Sequence, residues 1–317
     1  MNVKEFTPLV SVCMITYNHE AFISEAIEGV LNQTVDFPIE LVIGEDFSTD
    51  RTREICHEYA FHSPDKIRLL CRENNLGMQR NFLETIKACV GKYVAICEGD
   101  DYWTDPLKLK KQIDFLERNS DFAICHHRLE MMNENKSSRS TLSPASKEVT
   151  SFEDLAQRQH IATASCVFRN RLFSFPEFFL TVFGTDYVLN LLNSFHGKIK
   201  LIDERMGVYR IHDKGEWSGR SDFDRTYKAI ETVRKCSEYF APRATVEFDF
   251  HITLLCGYFE FNKKEFKEFR RICRKIFRNH LRVLRLREIV SLGTRYLLSF
   301  SPTITGSCCL LLTKLKR

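Results

Sequence analysis

The sequence predicts an α/β protein, a doubly wound and mostly parallel sheet followed by a helical C-terminal appendage. Three observations lead there. Between residues 9 and 97 short β-branched apolar runs alternate with segments whose apolar side chains recur at helical spacing, and parallel neighbours are what helical crossovers connect. The loop after each of these runs is polar and rich in Asp, Glu and Asn. From residue 224 onward the strand pattern gives way to helical periodicity.

Residues 9–16 (LVSVCMIT) form a nearly continuous apolar run, which suits a strand buried on both faces. Phe22, Ile23, Ala26, Ile27, Val30 and Leu31 then lie on one stripe of a helix ending near Gln33. The alternation continues with a strand at 39–43, a helix from Thr52, a strand at 67–70, a helix over 78–90 and a strand at 93–97. Pro106 opens a further helix with Asp105 as its N-cap, and a strand follows at 122–125. Residues 133–150 are rich in Ser, Asn and Lys and read as a surface loop or hinge. A helix near 152–158, a returning strand at 164–168 and a helical stripe over 186–195 come next, then two short strands at 199–202 and 207–211. The domain boundary is placed at residue 220, between an α/β domain over 1–220 and a basic helical region over 221–317.

Composition limits the alternatives. With 44% hydrophobic residues, 26 Phe and only 13 Gly and 8 Pro, the chain is neither disordered nor collagen-like, and its 317 residues exceed what one core uses efficiently. The twelve cysteines include no CxxC pair and several lie inside apolar runs, so a reduced, cytoplasmic chain is expected. No signal peptide is read at the N-terminus. The net charge of +4 hides an asymmetry, since residues 262–317 carry 15 Lys/Arg against 3 Asp/Glu. That segment is either a solvated helix face or a contact for an anionic membrane surface. No nucleic-acid partner is expected.

In a doubly wound sheet, ligands bind outside the carboxyl ends of the strands, so the loops carry the chemistry. The sharpest is Glu98-Gly99-Asp100-Asp101. Two carboxylates about 4 Å apart repel by roughly 4 kcal/mol at an effective dielectric near 20. A divalent cation, Mn²⁺ or Mg²⁺, fits as the compensating charge because such ions take hard oxygen ligands and leave places for phosphate. A solvated acidic turn capping the next helix is the competing reading. The neighbouring histidines His126 and His127 suggest zinc, but adjacent strand residues face opposite ways, and that reading is rejected.

Taken together, PLVSVCMITYNHEAFISEAIEGVLNQ, IELVIGEDFSTDRT, NNLGMQRN and GKYVAICEGDDYW resemble the nucleotide-binding half of the family-2 glycosyltransferases of GT-A fold, and the resemblance runs over about residues 8–220. It implies inverting transfer of a sugar from a UDP- or dTDP-sugar donor to the hydroxyl of a saccharide or lipid-linked saccharide. It implies that Thr16, Tyr17 and Asn18 line the nucleotide pocket, that Asp46 accepts a hydrogen bond from the base, and that Asn75 and Asn81 shape the diphosphate side. The family's acidic motif opens on Asp where this chain has Glu98, so the metal is assigned chiefly to Asp100, then to Asp101. The Gly184-Thr185-Asp186-Tyr187 stretch matches where the family places a carboxylate, which makes Asp186 the expected general base. Residues 206–212 with Trp217-Ser218-Gly219 resemble a loop that closes over the diphosphate, with Arg210 neutralising leaving-group charge and His212 doing the same or serving as a late metal ligand.

Beyond the resemblance, Phe266, Phe269, Ile272, Cys273, Ile276, Phe277, Leu281 and Leu284 make an amphipathic helix studded with Lys and Arg, and residues 296–313 hold too many Ser, Thr, Gly and Pro for a membrane span. Peripheral attachment at the inner membrane face is expected. Two other readings are a noncatalytic sugar-nucleotide-binding protein and a sugar-nucleotide nucleotidyltransferase, and the latter's Gly-rich basic loop is missing from TYNHEAF.

Overall fold

The computed structural model describes residues 7–133, 138–142, 147–213, 215 and 220–256. The amphipathic pattern from Phe266, the uncharged stretch 296–313 and Trp217-Ser218-Gly219 lie outside these residues. The chain divides into two compact units, Met1–Arg220 and Ser221–Arg317.

In the first unit, β1 (Val10–Thr16) pairs in parallel with β2 (Ile39–Glu45), which pairs in parallel with β3 (Ile67–Cys71). On its other side β1 pairs in parallel with β4 (Tyr93–Ile96). All seven residues of both β1 and β2 are buried, the physical reason for their unbroken apolar patterns. The crossovers are α1 (Ile23–Leu31), α2 (Thr52–His62) and α3 (Met78–Ala88). Ile23, Ala26, Ile27 and Val30 of α1 are buried in the core with Val12, Met14, Leu41, Ile43 and Ala95. The third crossover lies very close to the sheet. A Cβ on Gly44 would come 2.0 Å from Thr85 Oγ1 and 2.7 Å from Asn81 Oδ1, so β2 needs glycine there. Register sets Thr16 beside Glu45, which places the loops after β1 and β2 side by side.

The second half of the sheet departs from simple winding. After β5 (Tyr102–Trp103) and α4 (Lys108–Arg118) comes a long strand, β6 (Phe122–Asn133). The region read as a loop at 133–150 contains β7 (Ser138–Leu142), antiparallel to β6, and β8 (Val149–Thr150). Then α5 (Phe152–Gln157) leads to β9 (Val167–Arg169), which inserts antiparallel between β4 and β6. After α6 (Thr185–Ser194), β10 (Lys198–Ile211) runs parallel to β6. The overall strand order is β3-β2-β1-β4-β9-β6-β10-β5, a mixed sheet in which the longest ladders are parallel.

Two expectations are corrected in detail. The two short strands at 199–202 and 207–211 are one strand, β10, whose register shifts between Ile202 and Arg205 and again before Val208. Irregular pairing at the polar Asp203-Glu204-Arg205 made one element look like two. The helix expected from Pro106 begins at Lys108, and Asp105 Oδ1 instead accepts from the Leu107 N–H at 2.8 Å. In the second unit, α7 (Asp222–Phe240) is capped by the Ser221 hydroxyl, which accepts from Asp224 N at 3.2 Å. Next comes α8 (Thr245–Cys256), where Phe248 stacks on Phe240 with ring centroids 6.2 Å apart. Among the described residues no helix is long and apolar enough to cross a membrane.

Candidate active site

The strand tips of β1 and β2 build the first wall. Thr16 is buried with its Oγ1 lacking a hydrogen-bond partner, and the following Tyr17 is 42% exposed. Asn18 adopts the left-handed region at φ 55°, which Asn tolerates better than most residues. That turn lets its Oδ1 accept from Thr49 N at 2.8 Å while its own N–H donates to Ser48 Oγ at 3.0 Å. Asp46, only 2% exposed, accepts from Leu76 N at 2.8 Å and Gly77 N at 3.0 Å, and Asn75 Nδ2 donates to its carbonyl at 3.0 Å. Burial pushes the Asp46 carboxyl up, and the two N–H donors oppose the shift. Asn81 is 1% exposed, donating to the Gly44 carbonyl at 2.8 Å and accepting from Arg72 Nε at 3.0 Å. It therefore braces α3 against β2 beneath the loop.

Residues 98–101 turn back at the end of β4. The Gly99 N–H donates to the Ile15 carbonyl at 2.9 Å, and a Cβ at Gly99 would come 2.7 Å from Thr16 Oγ1 and 3.1 Å from His19 Nδ1. Only a residue without a side chain lets the acidic turn lie against the tip of β1. The ladder of β5 with β10, Val208 opposite Tyr102, brings Arg210 and His212 over the turn. Asp100 Oδ2 lies 3.1 Å from His212 Nε2 and 3.8 Å from His19 Nε2. These two imidazoles and the His212 hydrogen bond outweigh burial and hold the Asp100 carboxyl below its ordinary range. Asp101 faces the other way. Its Oδ1 accepts from the Arg210 backbone N–H at 2.9 Å, while its Oδ2 is buried with no hydrogen-bond partner. Burial first, then the charges of Asp100 and Glu98, push its carboxyl well up.

Arg210 is 4% exposed. Its guanidinium donates to the Asp100 carbonyl at 2.9 Å, pairs with Glu25 and lies over the rings of Tyr102 and Phe22, at 4.3 and 5.1 Å. That arrangement ties α1, β10 and the acidic turn together. Glu98 is pushed up to about 8 by burial, then by the charges of Asp100 and Asp186. The chain thus brings Asp186, on the first turn of α6, to the same cluster from a distant part of the sequence. Its Oδ2 accepts from Thr163 Oγ1 at 3.2 Å and Gln159 Nε2 at 3.4 Å, and burial raises its carboxyl.

The expected residues therefore sort by direction. Asp100 and His212 meet directly, Glu98 feels the charges of both Asp100 and Asp186, Tyr17 is open to solvent, and Asp101, Arg210 and Asn81 act as internal struts. Two residues escaped the sequence reading. His19 sits in the middle of a helix-entry segment with no motif to mark it. Tyr209 lies among Asp101, Glu98, Asp100 and Asp186, whose charges reinforce the burial that raises its phenol. Strand alternation alone made it look like an ordinary strand residue. Among the described residues no group of three or more His, Cys, Asp or Glu is already assembled as a metal site. His126 and His127 are buried elsewhere, the first with its ring 6.0 Å from that of His160.

A sequence profile of the family described as glycosyl transferase family 2 matches residues 11–178. The chain belongs to this family. Relatives include an uncharacterised protein of Mycobacterium tuberculosis, 38% identical over 209 residues covering 66% of this chain and 60% of the relative, so the match spans less than two thirds of that protein's length. An uncharacterised glycosyltransferase of Nostoc is 29% identical over 214 residues, 64% of this chain and 65% of the relative. Among solved structures, Staphylococcus aureus TarS 1–349 in complex with UDP-GlcNAc superposes with a TM-score of 0.56 at 18% identity, covering 92% of this chain and 81% of that one. A Pyrobaculum calidifontis mannosyltransferase with GDP-Man and Mn²⁺ gives 0.57 at 16% identity, over 96% and 84%. At such identities the likeness concerns the fold, which is GT-A. The family-2 match ends before Asp186, Arg210 and His212, so their placement rests on the geometry alone.

Proposed function

We propose that this family-2 chain is an inverting, divalent-metal-dependent glycosyltransferase that moves a hexosyl or N-acetylhexosaminyl unit from a nucleoside-diphosphate sugar to an acceptor hydroxyl in cell-surface polysaccharide or glycolipid synthesis. The observation that carries the reading is the acidic turn at the end of β4, where Asp100 Oδ2 lies 3.1 Å from His212 Nε2 and the Asp100 carbonyl accepts from the Arg210 guanidinium at 2.9 Å, with the charges of Asp100 and Asp186 both felt by Glu98. Such a cluster suits a cation and a diphosphate that bring the missing positive charge and the hydrogen-bonding partners.

The donor set fits a divalent ion. One carboxylate oxygen and one imidazole nitrogen, Asp100 Oδ2 and His212 Nε2, stand 3.1 Å apart, and these are ligand types that Mn²⁺ accepts. When bound, the ion neutralises developing negative charge on the leaving diphosphate. Asp101 is better suited to hold the Arg210 backbone than to ligate, because its Oδ1 is already engaged there. Tyr17, Asn18 and the loop ordered by Asp46 form the nucleotide side, with Thr16 Oγ1 buried beside it and unpartnered. Asp186 takes the proton from the acceptor hydroxyl. Its neighbours Thr163 and Gln159 donate to one oxygen, and backbone N–H groups at the start of α6 add to them, which fixes the carboxylate. UDP- and dTDP-sugars are the donors favoured by the sequence, and structural neighbours that hold UDP-GlcNAc and GDP-Man support a sugar nucleotide. The basic segment 262–317 suits a lipid-linked acceptor at an anionic membrane surface.

The test is a melting screen of the full chain with UDP-, dTDP- and GDP-sugars, with Mn²⁺, Mg²⁺ or chelator. A ligand at 100 times its dissociation constant adds about 2.7 kcal/mol of apparent stability. Its donor is then turned over and the anomeric configuration of the product read by NMR. No stabilisation by any sugar nucleotide in either metal, or a product of retained configuration, overturns the proposal.

A further inference from the structure

We propose that His19 joins Asp100 and His212 in holding the divalent cation, giving a site of two imidazoles and one carboxylate that prefers a first-row transition ion such as Mn²⁺ or Co²⁺ to Mg²⁺. This deepens the metal-dependent reading above and rests on it.

The backbone of His19 is held firmly. Its N–H donates to Thr52 Oγ1 at 2.8 Å, and its carbonyl accepts from Phe22 N and Ile23 N, each at 2.9 Å. The ring is not held in this way, for Nδ1 is buried and has no hydrogen-bond partner. Its Nε2 points at Asp100 Oδ2 from 3.8 Å, the same oxygen that His212 Nε2 meets at 3.1 Å. The two rings are perpendicular with centroids 6.1 Å apart, and both present Nε2 to that oxygen. Donors each about 2.1 Å from one ion are separated by about 3 Å at right angles and by about 4 Å when opposed. Both distances to Asp100 fall in that span. The set is not closed, because the imidazoles stand further from one another than from the carboxylate, and the unpinned His19 ring is the part able to turn inward.

Two further features favour this arrangement over simple space filling. At 3.8 Å the His19–Asp100 contact is too long for a hydrogen bond, so the ring is aimed at the carboxylate without being satisfied by it. Glycine at 99 keeps clear the space beside Nδ1 that a Cβ would enter at 3.1 Å. Both rings pack against Phe22, His212 with centroids 4.7 Å apart and His19 edge-on at 6.4 Å, and its hydrogen bond to Asp100 makes His212 the fixed part of the site. The preference follows from donor chemistry, since imidazole nitrogen binds ions further along the first transition row more strongly, whereas Mg²⁺ prefers oxygen.

The test uses the full chain with Mn²⁺ alone. Pulsed electron paramagnetic resonance of bound Mn²⁺ is expected to show two ¹⁴N couplings in the wild type and one in His19→Ala and in His19→Gln. Mn²⁺ affinity by calorimetry falls at least about tenfold in both variants, the size expected for loss of one supporting ligand, while Mg²⁺ affinity changes less than twofold. Wild-type spectra with a single nitrogen, or variants that keep Mn²⁺ affinity within twofold, overturn the role of His19 and leave the proposed reaction standing. A wild type that binds no Mn²⁺ removes both. The wild-type spectrum decides the question even if a variant fails to fold.

Discussion

Asp46 spends both carboxylate oxygens on the backbone of a neighbouring loop, so its first effect is to shape residues 74–77. Asp46→Asn places an amide N–H against one of those donors. Loss of one buried hydrogen bond costs about 1–3 kcal/mol, and thermal melting should show a matching drop together with weaker nucleotide binding by calorimetry. An unchanged melting temperature would mean the loop holds its shape without the carboxylate. Asp186→Asn is the complementary case. The amide oxygen still accepts from Thr163 and Gln159, so the fold and donor affinity stay near wild type, but the proton acceptor is gone. Transfer in single-turnover assays should fall by about 10² to 10⁴, and a variant that retains wild-type transfer would put the base elsewhere. Asp100 stood out in the sequence because three carboxylates crowd one strand-end loop, whereas Asp46 and Asp186 were named only through the resemblance to a family that places carboxylates at these points. His19 and Tyr209 were not, because a helix-entry histidine and a strand tyrosine have bland roles in most folds, and only the approach of β10 to the acidic turn shows what surrounds them.

Element by element, the first four strands and three helices were legible because β1, β2 and β4 are buried along their whole length, β3 at the sheet edge keeps a short apolar run, and the helices between them turn buried side chains to the sheet. The antiparallel insertion of β9 was not, since three residues carry too little pattern to reveal their direction. Nor was the start of α4, where Lys108 is fully buried with its Nζ 3.6 Å from the centroid of the Trp103 ring and without a hydrogen-bond partner. Burial pushes this amine down to about 7. The unfolded chain would hold its proton up to about 10.4, so between these values unfolding takes up a proton and stability falls as pH is lowered, levelling off below 7. Lys108→Met keeps the length and removes the charge. The variant should melt higher than wild type at pH 7, with the gap narrowing towards pH 10. A variant less stable at pH 7 would show that contact with the indole outweighs desolvation.

For the whole molecule, the charge asymmetry was readable from composition alone, and it predicts a behaviour of the intact chain. With basic residues drawn to anionic lipid by about 1 kcal/mol each near the surface, the full chain should co-sediment with vesicles containing phosphatidylserine, release as salt rises, and ignore neutral vesicles. Equal sedimentation with both would rule out an electrostatic contact. The fold class was recovered because alternating strands and helices leave few topologies open, whereas the completed site needed long-range contacts that no local window contains. Arg210 meets Asp100 across 110 positions, while Asn18 meets Ser48 across 30. That difference orders the site in time. As the ribosome releases the chain N-terminus first, the hydrogen bonds among Asn18, Asp46, Ser48 and residues 75–77 can form once Gly77 has emerged, but Asp101 has no Arg210 amide to receive until β10 has followed. Contacts of such long span are slow to close, so newly made molecules should grip a nucleotide before they can do anything with the sugar attached to it.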